Sequence, residues 1–189
     1  MMRRWMAAAL TLFTLTACGP EDVSESGPEE VPASGPEGSL RGQEQEVWGW
    51  YYTSEELAPA ECDGDALAYG ASCSHAFCDD VRLGCNTPPS GTTKGYPTWT
   101  ASFSEESTRP TICPNGSWVT GLSCSGGYCD NVSLECTPIS GRSAGNCYWS
   151  DPIADGKSTF IAPANHFIRG AKCAGWWCES MTLYYCEMI

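Results

Sequence analysis

The sequence predicts an all-β fold built from three related, disulfide-stapled units. Cys62, Cys73, Cys78 and Cys85 read C-x10-C-x4-C-x6-C, and Cys113, Cys124, Cys129 and Cys136 repeat that spacing. Asp130-Asn131-Val132-Ser133-Leu134-Glu135-Cys136 alternates polar and apolar residues, as a half-buried strand does. No window after residue 46 sustains a helical period. Cross-links repeated at fixed intervals imply supersecondary units that bury their apolar faces against one another.

The first element is an export signal over residues 1–17. Arg3-Arg4 precede an apolar run from Trp5 to Ala17, which is short of the roughly 20 residues a spanning helix needs. Leu15-Thr16-Ala17-Cys18 resembles the bacterial lipobox, which implies a lipidated Cys18 and a cell-envelope address, with Gly19 pointing to the outer membrane. Setting Cys18 aside leaves an even number of the 13 cysteines for pairing. Residues 18–46 follow, rich in Pro, Gly, Ser and Glu, with too little apolar surface to offset the entropy of ordering. They are expected to form a disordered acidic tether that needs no membrane contact beyond the acyl chains.

Residues 47–189 form the folded part, divided at about 47–97, 98–146 and 147–189. The whole chain is formally −13, and this part holds seven bases against fifteen acids, −8 by difference. Such a balance argues against nucleic acid, whose binding rests on phosphate neutralisation, and against adhesion to anionic lipid. Trp48, Trp99 and Trp149 stand at nearly equal intervals and are read as the openings of the three repeats. In each repeat two strands flank a four-residue loop, the second carrying Val81 and Leu83, Val132 and Leu134, or Met181 and Leu183 on one face. Gly70, Gly121 and Gly170 stand three residues before Cys73, Cys124 and Cys173, where a bulge or a tight contact excludes a side chain.

The third repeat departs from the others. Ala162-Pro163 replaces Cys113-Pro114, Cys147 appears at the place of Pro97, and the interval from Cys178 to Cys186 is one residue longer. One disulfide partner is therefore expected to have moved within its neighbourhood. Twelve thiols can pair in many ways. The pairing proposed is Cys73–Cys78, Cys124–Cys129 and Cys173–Cys178 across the loops, with Cys62–Cys85, Cys113–Cys136 and Cys147–Cys186 as the remainder.

Trp99, Cys113-Pro114-Asn115-Gly116-Ser117-Trp118-Val119-Thr120-Gly121 and Asp130 to Cys136 together resemble the repeat of the vitelline membrane outer layer protein family. The likeness covers most of the second repeat, about half of the first and less of the third, and the Cys-x4-Cys loop departs from it. The resemblance implies a β-prism, three Greek-key sheets about a pseudo-threefold axis, and an association with extracellular coats and glycans. A β-trefoil is the alternative, although its usual Gln-x-Trp signature is absent.

The candidate ligand-binding residues follow the loops. Ser74-His75-Ala76-Phe77, Ser125-Gly126-Gly127-Tyr128 and Ala174-Gly175-Trp176-Trp177 each end in an aromatic, and Asp79, Asp130 with Asn131, and Glu179 come just after. A flat apolar ring beside carboxylate and amide acceptors suits a sugar, which offers C–H groups on one face and hydroxyls at its edge. The same residues also suit a bland role, the ring covering a disulfide and the acid capping its own turn. Glu55-Glu56, Glu105-Glu106 and Asp79-Asp80 invite a hydrolase reading, but adjacent carboxylates on a strand point apart and their recurrence fits a scaffold. Cysteines exported to an oxidising compartment pair with each other instead of holding zinc. Asp63-Gly64-Asp65 reads as a turn, and His75 and His166 fall in different repeats. No cofactor, metal or catalytic residue is assigned. The expected function is that of a surface-anchored, non-enzymatic module binding glycan or envelope polymer, with a structural or inhibitory protein-binding domain and a glycan-active enzyme as alternatives.

Overall fold

The computed structural model describes residues 49–157 and 159–189. The export signal, Cys18, the tether and Trp48 lie outside the described residues. The folded part is all-β, its only helical pieces among the described residues being three short 3-10 turns.

Each repeat contributes a long antiparallel hairpin. These are β3 (Leu67–Ser74) with β4 (Asp80–Asn86), β8 (Ser117–Ser125) with β9 (Asn131–Ser140), and β13 (His166–Ala174) with β14 (Ser180–Met188). The first hairpin is flanked by β1 (Gly49–Thr53), the second by β5 (Thr93–Lys94) and β6 (Thr98–Trp99), the third by β10 (Ala144–Trp149) and β11 (Ile153–Ala154). The last strand of each sheet comes from a different repeat. β2 (Ala60–Glu61) of the first repeat pairs with β8, β7 (Thr111–Ile112) of the second with β13, and β12 (Phe160–Ile161) of the third with β3. The lending runs first to second, second to third and third to first, so the exchange closes on itself.

The recurring glycines are what let the lent strands approach. Glu61 faces Gly121, Ile112 faces Gly170 and Ile161 faces Gly70. A Cβ on Gly170 would stand 2.6 Å from Thr111 O, and one on Gly70 2.8 Å from Phe160 O, both closer than real Cβ contacts. The Gly121 position is looser, 3.2 Å from Ala60 O. Each glycine also follows a β-bulge, with Tyr69, Thr120 or Arg169 as the extra residue. Both expectations for the glycines hold at once. The carbonyl of each bulge residue then accepts the next amide of the lent strand: Cys62 N–H to Thr120 O at 2.7 Å, Cys113 N–H to Arg169 O at 2.7 Å and Ala162 N–H to Tyr69 O at 2.8 Å.

The core gathers the second-strand faces: Val81 and Leu83, Val132 and Leu134, Met181 and Leu183, all essentially inaccessible. A second cluster collects Leu67, Trp118, Phe167, Ile139 and Met188 at the strand ends remote from the loops. Among the described residues six disulfides join the six proposed pairs. Cys62–Cys85 and Cys113–Cys136 tether each lent strand back to its own hairpin. Closing a 23-residue separation constrains the unfolded chain by about 3 kcal/mol in the chain-entropy account.

Two expectations need correction. Trp50 pairs with Gly84, Trp99 with Glu135 and Trp149 with Tyr184, one residue before the pairings of Leu83, Leu134 and Leu183 in each repeat. The equivalent of Trp99 is therefore Trp50 and not Trp48. The first repeat is shorter here, with three positions from Trp50 to Thr53 and four from Trp99 to Phe103, which face Val81 and Val132 respectively. The third disulfide has also changed face. The extra residue puts Tyr185 where Cys85 and Cys136 stand, packed 5.0 Å from the Phe160 ring. Cys186 points to the opposite side, directly across from Cys147. A one-residue shift inverts the facing of a strand, so the cross-link could be kept only with a new partner.

The glycine contacts give a direct test. Gly170→Ala is expected to cost about 1–3 kcal/mol in urea unfolding, as forced overpacking does. Gly127→Ala, where a Cβ would meet nothing within 4 Å, is expected to be near neutral.

Candidate functional site

The three loops meet. Phe77, Tyr128 and Trp177 sit at the middle of 3-10 turns Ala76–Cys78, Gly127–Cys129 and Trp176–Cys178, closed by the short disulfides. Their rings form one cluster. Tyr128 stacks on Trp177 at 5.4 Å and 28°, Phe77 meets Trp177 edge-on at 5.0 Å and 85°, and Phe77 lies 5.3 Å from Tyr128. Spacing alone did not reveal that the loops of three separate sheets converge on one point.

The backbone is forced to aim these rings. Phe77, Tyr128 and Trp177 all have left-handed φ near 60°, and so do the cysteines that follow them. Each such non-glycine residue costs on the order of 1–3 kcal/mol and persists because the surroundings determine it. Here the disulfide and the neighbouring rings do so. Trp176 and Trp177, adjacent in the sequence, would face opposite ways on a strand. They lie instead in the turn, Trp177 joining the cluster while Trp176 stands 76% exposed beside it.

The carboxylates encircle the rings. Glu105 Oε1 accepts the Trp177 backbone N–H at 3.0 Å, reaching from the second repeat to the third. The Tyr128 backbone N–H of the second repeat lies near enough to Glu55 of the first to help stabilise its carboxylate. These acids sit in turns and not on strands, so the adjacent pairs Glu55-Glu56 and Glu105-Glu106 are not the chemically coupled ones. Glu55 is coupled to Asp79 through a carboxyl–carboxyl hydrogen bond. That bond, desolvation and the nearby charges of Glu55 and Asp80 push Asp79 up to about 6, against a small opposing pull from His75. The same bond, with backbone donors, holds Glu55 below the ordinary glutamate range. Asp130 keeps to its own turn and accepts from Asn131 Nδ2 at 2.5 Å. Glu179 is exposed next to its loop and lines a small recess with Phe77 and Asp155. Sequence reasoning placed the aromatics and the following acids, but it weighed Glu55 and Glu105 only as members of adjacent acid pairs and not as partners of a neighbouring repeat's loop.

The first loop differs for a steric reason. Gly126 and Gly175 adopt φ near +80° with ψ near 180°, a region open essentially to glycine. A Cβ on either would collide with the carboxylate of Asp130 or Glu179, which folds back over it. His75 holds that conformation in the first repeat, with φ 62° and ψ 167°. Its own Cβ takes the space, so Asp79 turns instead to Glu55, and the His75 ring goes to Asp80 at 2.6 Å.

No family model, curated protein or solved structure matches this chain.

Two measurements check this geometry. His75→Gly removes a strained φ and adds chain entropy to the unfolded state, for an expected net gain of about 1 kcal/mol in denaturant unfolding. A native Asp pKa above the unfolded value of about 3.9 favours folding while the group is protonated. That contribution is complete below about pH 4 and is lost as pH rises through about 6. Glu55, shifted down, works in the opposite sense and loses its contribution only as pH falls below the ordinary glutamate range. Across pH 4 to 6, the melting temperature of the wild type should therefore fall relative to Asp79→Asn. Parallel curves would contradict the raised Asp79 pKa.

Proposed function

We propose that the loop end is a carbohydrate-recognition surface, and that the protein is a non-enzymatic binding module carried on the cell envelope by a lipidated Cys18. One observation carries the reading. Phe77, Tyr128 and Trp177, from three different repeats, are held in strained loops at a single point with the exposed Trp176 beside them. A cross-linked scaffold that spends backbone strain to gather rings at one exposed end supports a binding role over simple coverage of a disulfide.

The polar rim supports the same reading. Asp79 Oδ1 and Glu105 Oε2 are shielded from bulk solvent and have no hydrogen-bond donor among the described residues. Oxygens so placed gain from a donating hydroxyl. Asp130, Asn131 and Glu179 add acceptors and an amide around the cluster. The sequence resemblance to vitelline membrane outer layer proteins adds to the reading, since it implies a β-prism and sheet-end loops are where β-prism lectins hold sugars.

A glycan-active enzyme is less well supported. Retaining and inverting glycosidases hold their two carboxyl groups about 5–5.5 Å and about 6.5–9.5 Å apart, to admit a sugar or a water between them. Glu55 and Asp79 are joined through a carboxyl–carboxyl hydrogen bond, closer than either separation.

A glycan array probed with wild type, Trp177→Ala and Trp176→Ala tests the proposal. The expected result is a saturable glycan signal lowered at least tenfold by either change, since base- or sugar-sized stacking on an aromatic ring contributes on the order of 1–3 kcal/mol. No signal for any glycan, or one that both changes leave intact, would remove the proposal and favour a cap that merely closes the sheet ends.

A further inference from the structure

A pocket of about 730 Å³ opens at the seam where the third repeat lends its strand to the first. One wall is the connector at residues 86–90 and the other is residues 161–167. Both walls are largely apolar, with Pro88 and Pro89 on one side and Ile161, Ala162, Pro163 and Phe167 on the other. Tyr69 also borders the pocket, but it is 4% exposed, packed in the second core cluster and already engaged. Its ring belongs to the core.

The matching walls of the other two seams are covered by the borrowing repeat's own chain. Pro88 follows Cys85 by three residues, as Ile139 follows Cys136. Ile139 N–H bonds Gly116 O and Met188 N–H bonds Asn165 O, so Met188 holds the same place in the third repeat. In the second repeat β5 lies along that stretch, Thr93 opposite Ser140 and Lys94 opposite Ile139. Lys94 Nζ then crosses to Gly64 O, 2.7 Å away on the facing turn of the first repeat. In the third repeat Ser143 and Ile189 exchange both backbone hydrogen bonds, and Ala144 stands opposite Met188. Ala144 and Cys147 pack there against the second core cluster. In both seams the cover is the chain that leads into the flanking strand.

In the first repeat the corresponding stretch lies outside the described residues. Lys94 and Ala144 stand five residues before Trp99 and Trp149, and five before Trp50, their equivalent, is Gln45. The described chain starts at Gly49, opposite Cys85 and one step from the pocket wall at Asn86. The counterpart of the cover is therefore Gln45-Glu46-Val47-Trp48. Continued by one step, the register sets Trp48 opposite Asn86, the place that Cys147 holds opposite Cys186 in the third repeat. Asn86 pairs on its other side with Leu67, a member of the second core cluster, so that position shares the cluster's face. The prolines do not prevent such pairing. Pro138 also lacks an N–H, and β5 is held there by Gly95 N–H to Pro138 O at 2.8 Å. Thr87 stands at the place of Pro138 and offers the same acceptor. Trp48 is the only aromatic residue between Cys18 and Gly49, and a segment so polar gives an indole no cover of its own. Burying the ring would remove roughly 150–250 Å² from water, and the pocket has room for it.

We infer that residues 45–48 dock along the first repeat's connector with the Trp48 side chain seated in this pocket, so that the chain closes the seam itself. The occupant is the end of the acidic tether and not a ligand from outside, and the inference does not depend on the glycan reading. Docked there, the tether departs from the end of β1 remote from the aromatic loops, since Thr53 at the other end faces Val81 beside the first loop. The test is solution NMR of the full chain, wild type and Trp48→Ala. The expected result is nuclear Overhauser cross-peaks from the Trp48 indole protons to the side chains of Ile161, Ala162 or Phe167, unchanged on dilution. Trp48→Ala is expected to shift the amides of Ala164, Asn165, His166 and Phe167 and to leave those of Phe77, Tyr128 and Trp177 in place. Should Trp48→Ala fail to fold, the wild-type cross-peaks decide. Their absence overturns the inference, as do pocket amides that Trp48→Ala leaves unmoved. Cross-peaks that vanish on dilution would seat the tryptophan of a second copy in the pocket, and they overturn it too.

Discussion

The structure depends on three short strands being pressed against three glycines. At Gly70, Gly121 and Gly170 the backbone of a neighbouring repeat comes where a side chain would otherwise stand. Each contact places a cysteine or alanine amide on the carbonyl of a bulge residue. Because each repeat lends one strand and borrows one, no sheet is complete by itself. The bulge that makes room for the lent strand also turns the carbonyls of Tyr69, Thr120 and Arg169 toward it. Packing and the hydrogen bonds between repeats thus descend from one local arrangement.

The ring of exchanges leaves the two ends of the hairpins with different tasks. At the remote end, Trp118, Phe167 and Leu67 build a second core with Ile139 and Met188. At the loop end, disulfides over a five-residue separation hold turns that the backbone resists. The rings gathered there are neither fully buried nor free, which suits a platform that must stay ordered while it faces solvent. Repetition also makes the exceptions informative. His75 in place of glycine redirects Asp79, and the added residue before Cys186 puts that cysteine on the opposite face of its strand. Each departure from threefold likeness creates chemistry that the other two copies lack.

Much of this was legible in the cysteines. Equal spacings announced repeated units, and alternation in Val132-Ser133-Leu134-Glu135-Cys136 announced strands. Short intervals announced which thiols could meet across a loop. The special glycines were legible as places without room, but not as the landing points of foreign strands, because two-residue strands such as Ala60–Glu61 carry no pattern of their own. Nearly equal intervals between tryptophans led to Trp48, since spacing cannot see that the first repeat is shorter near Tyr51-Tyr52. The site was half legible. Aromatics and acids next to the loop cysteines could be named, whereas Glu55 and Glu105 act across repeats and depend on a convergence that is purely three-dimensional.

The most direct test of the closed exchange is native-state hydrogen exchange at the amides of Cys62, Cys113 and Ala162, followed over increasing denaturant. If every sheet is completed by a borrowed strand, releasing one should require opening the whole domain. All three amides are then predicted to exchange with the free energy and the denaturant slope of global unfolding. Exchange of any one of them through a small, denaturant-insensitive opening would mean that its strand is an independent flap, and the account of a mutually closed fold would be wrong.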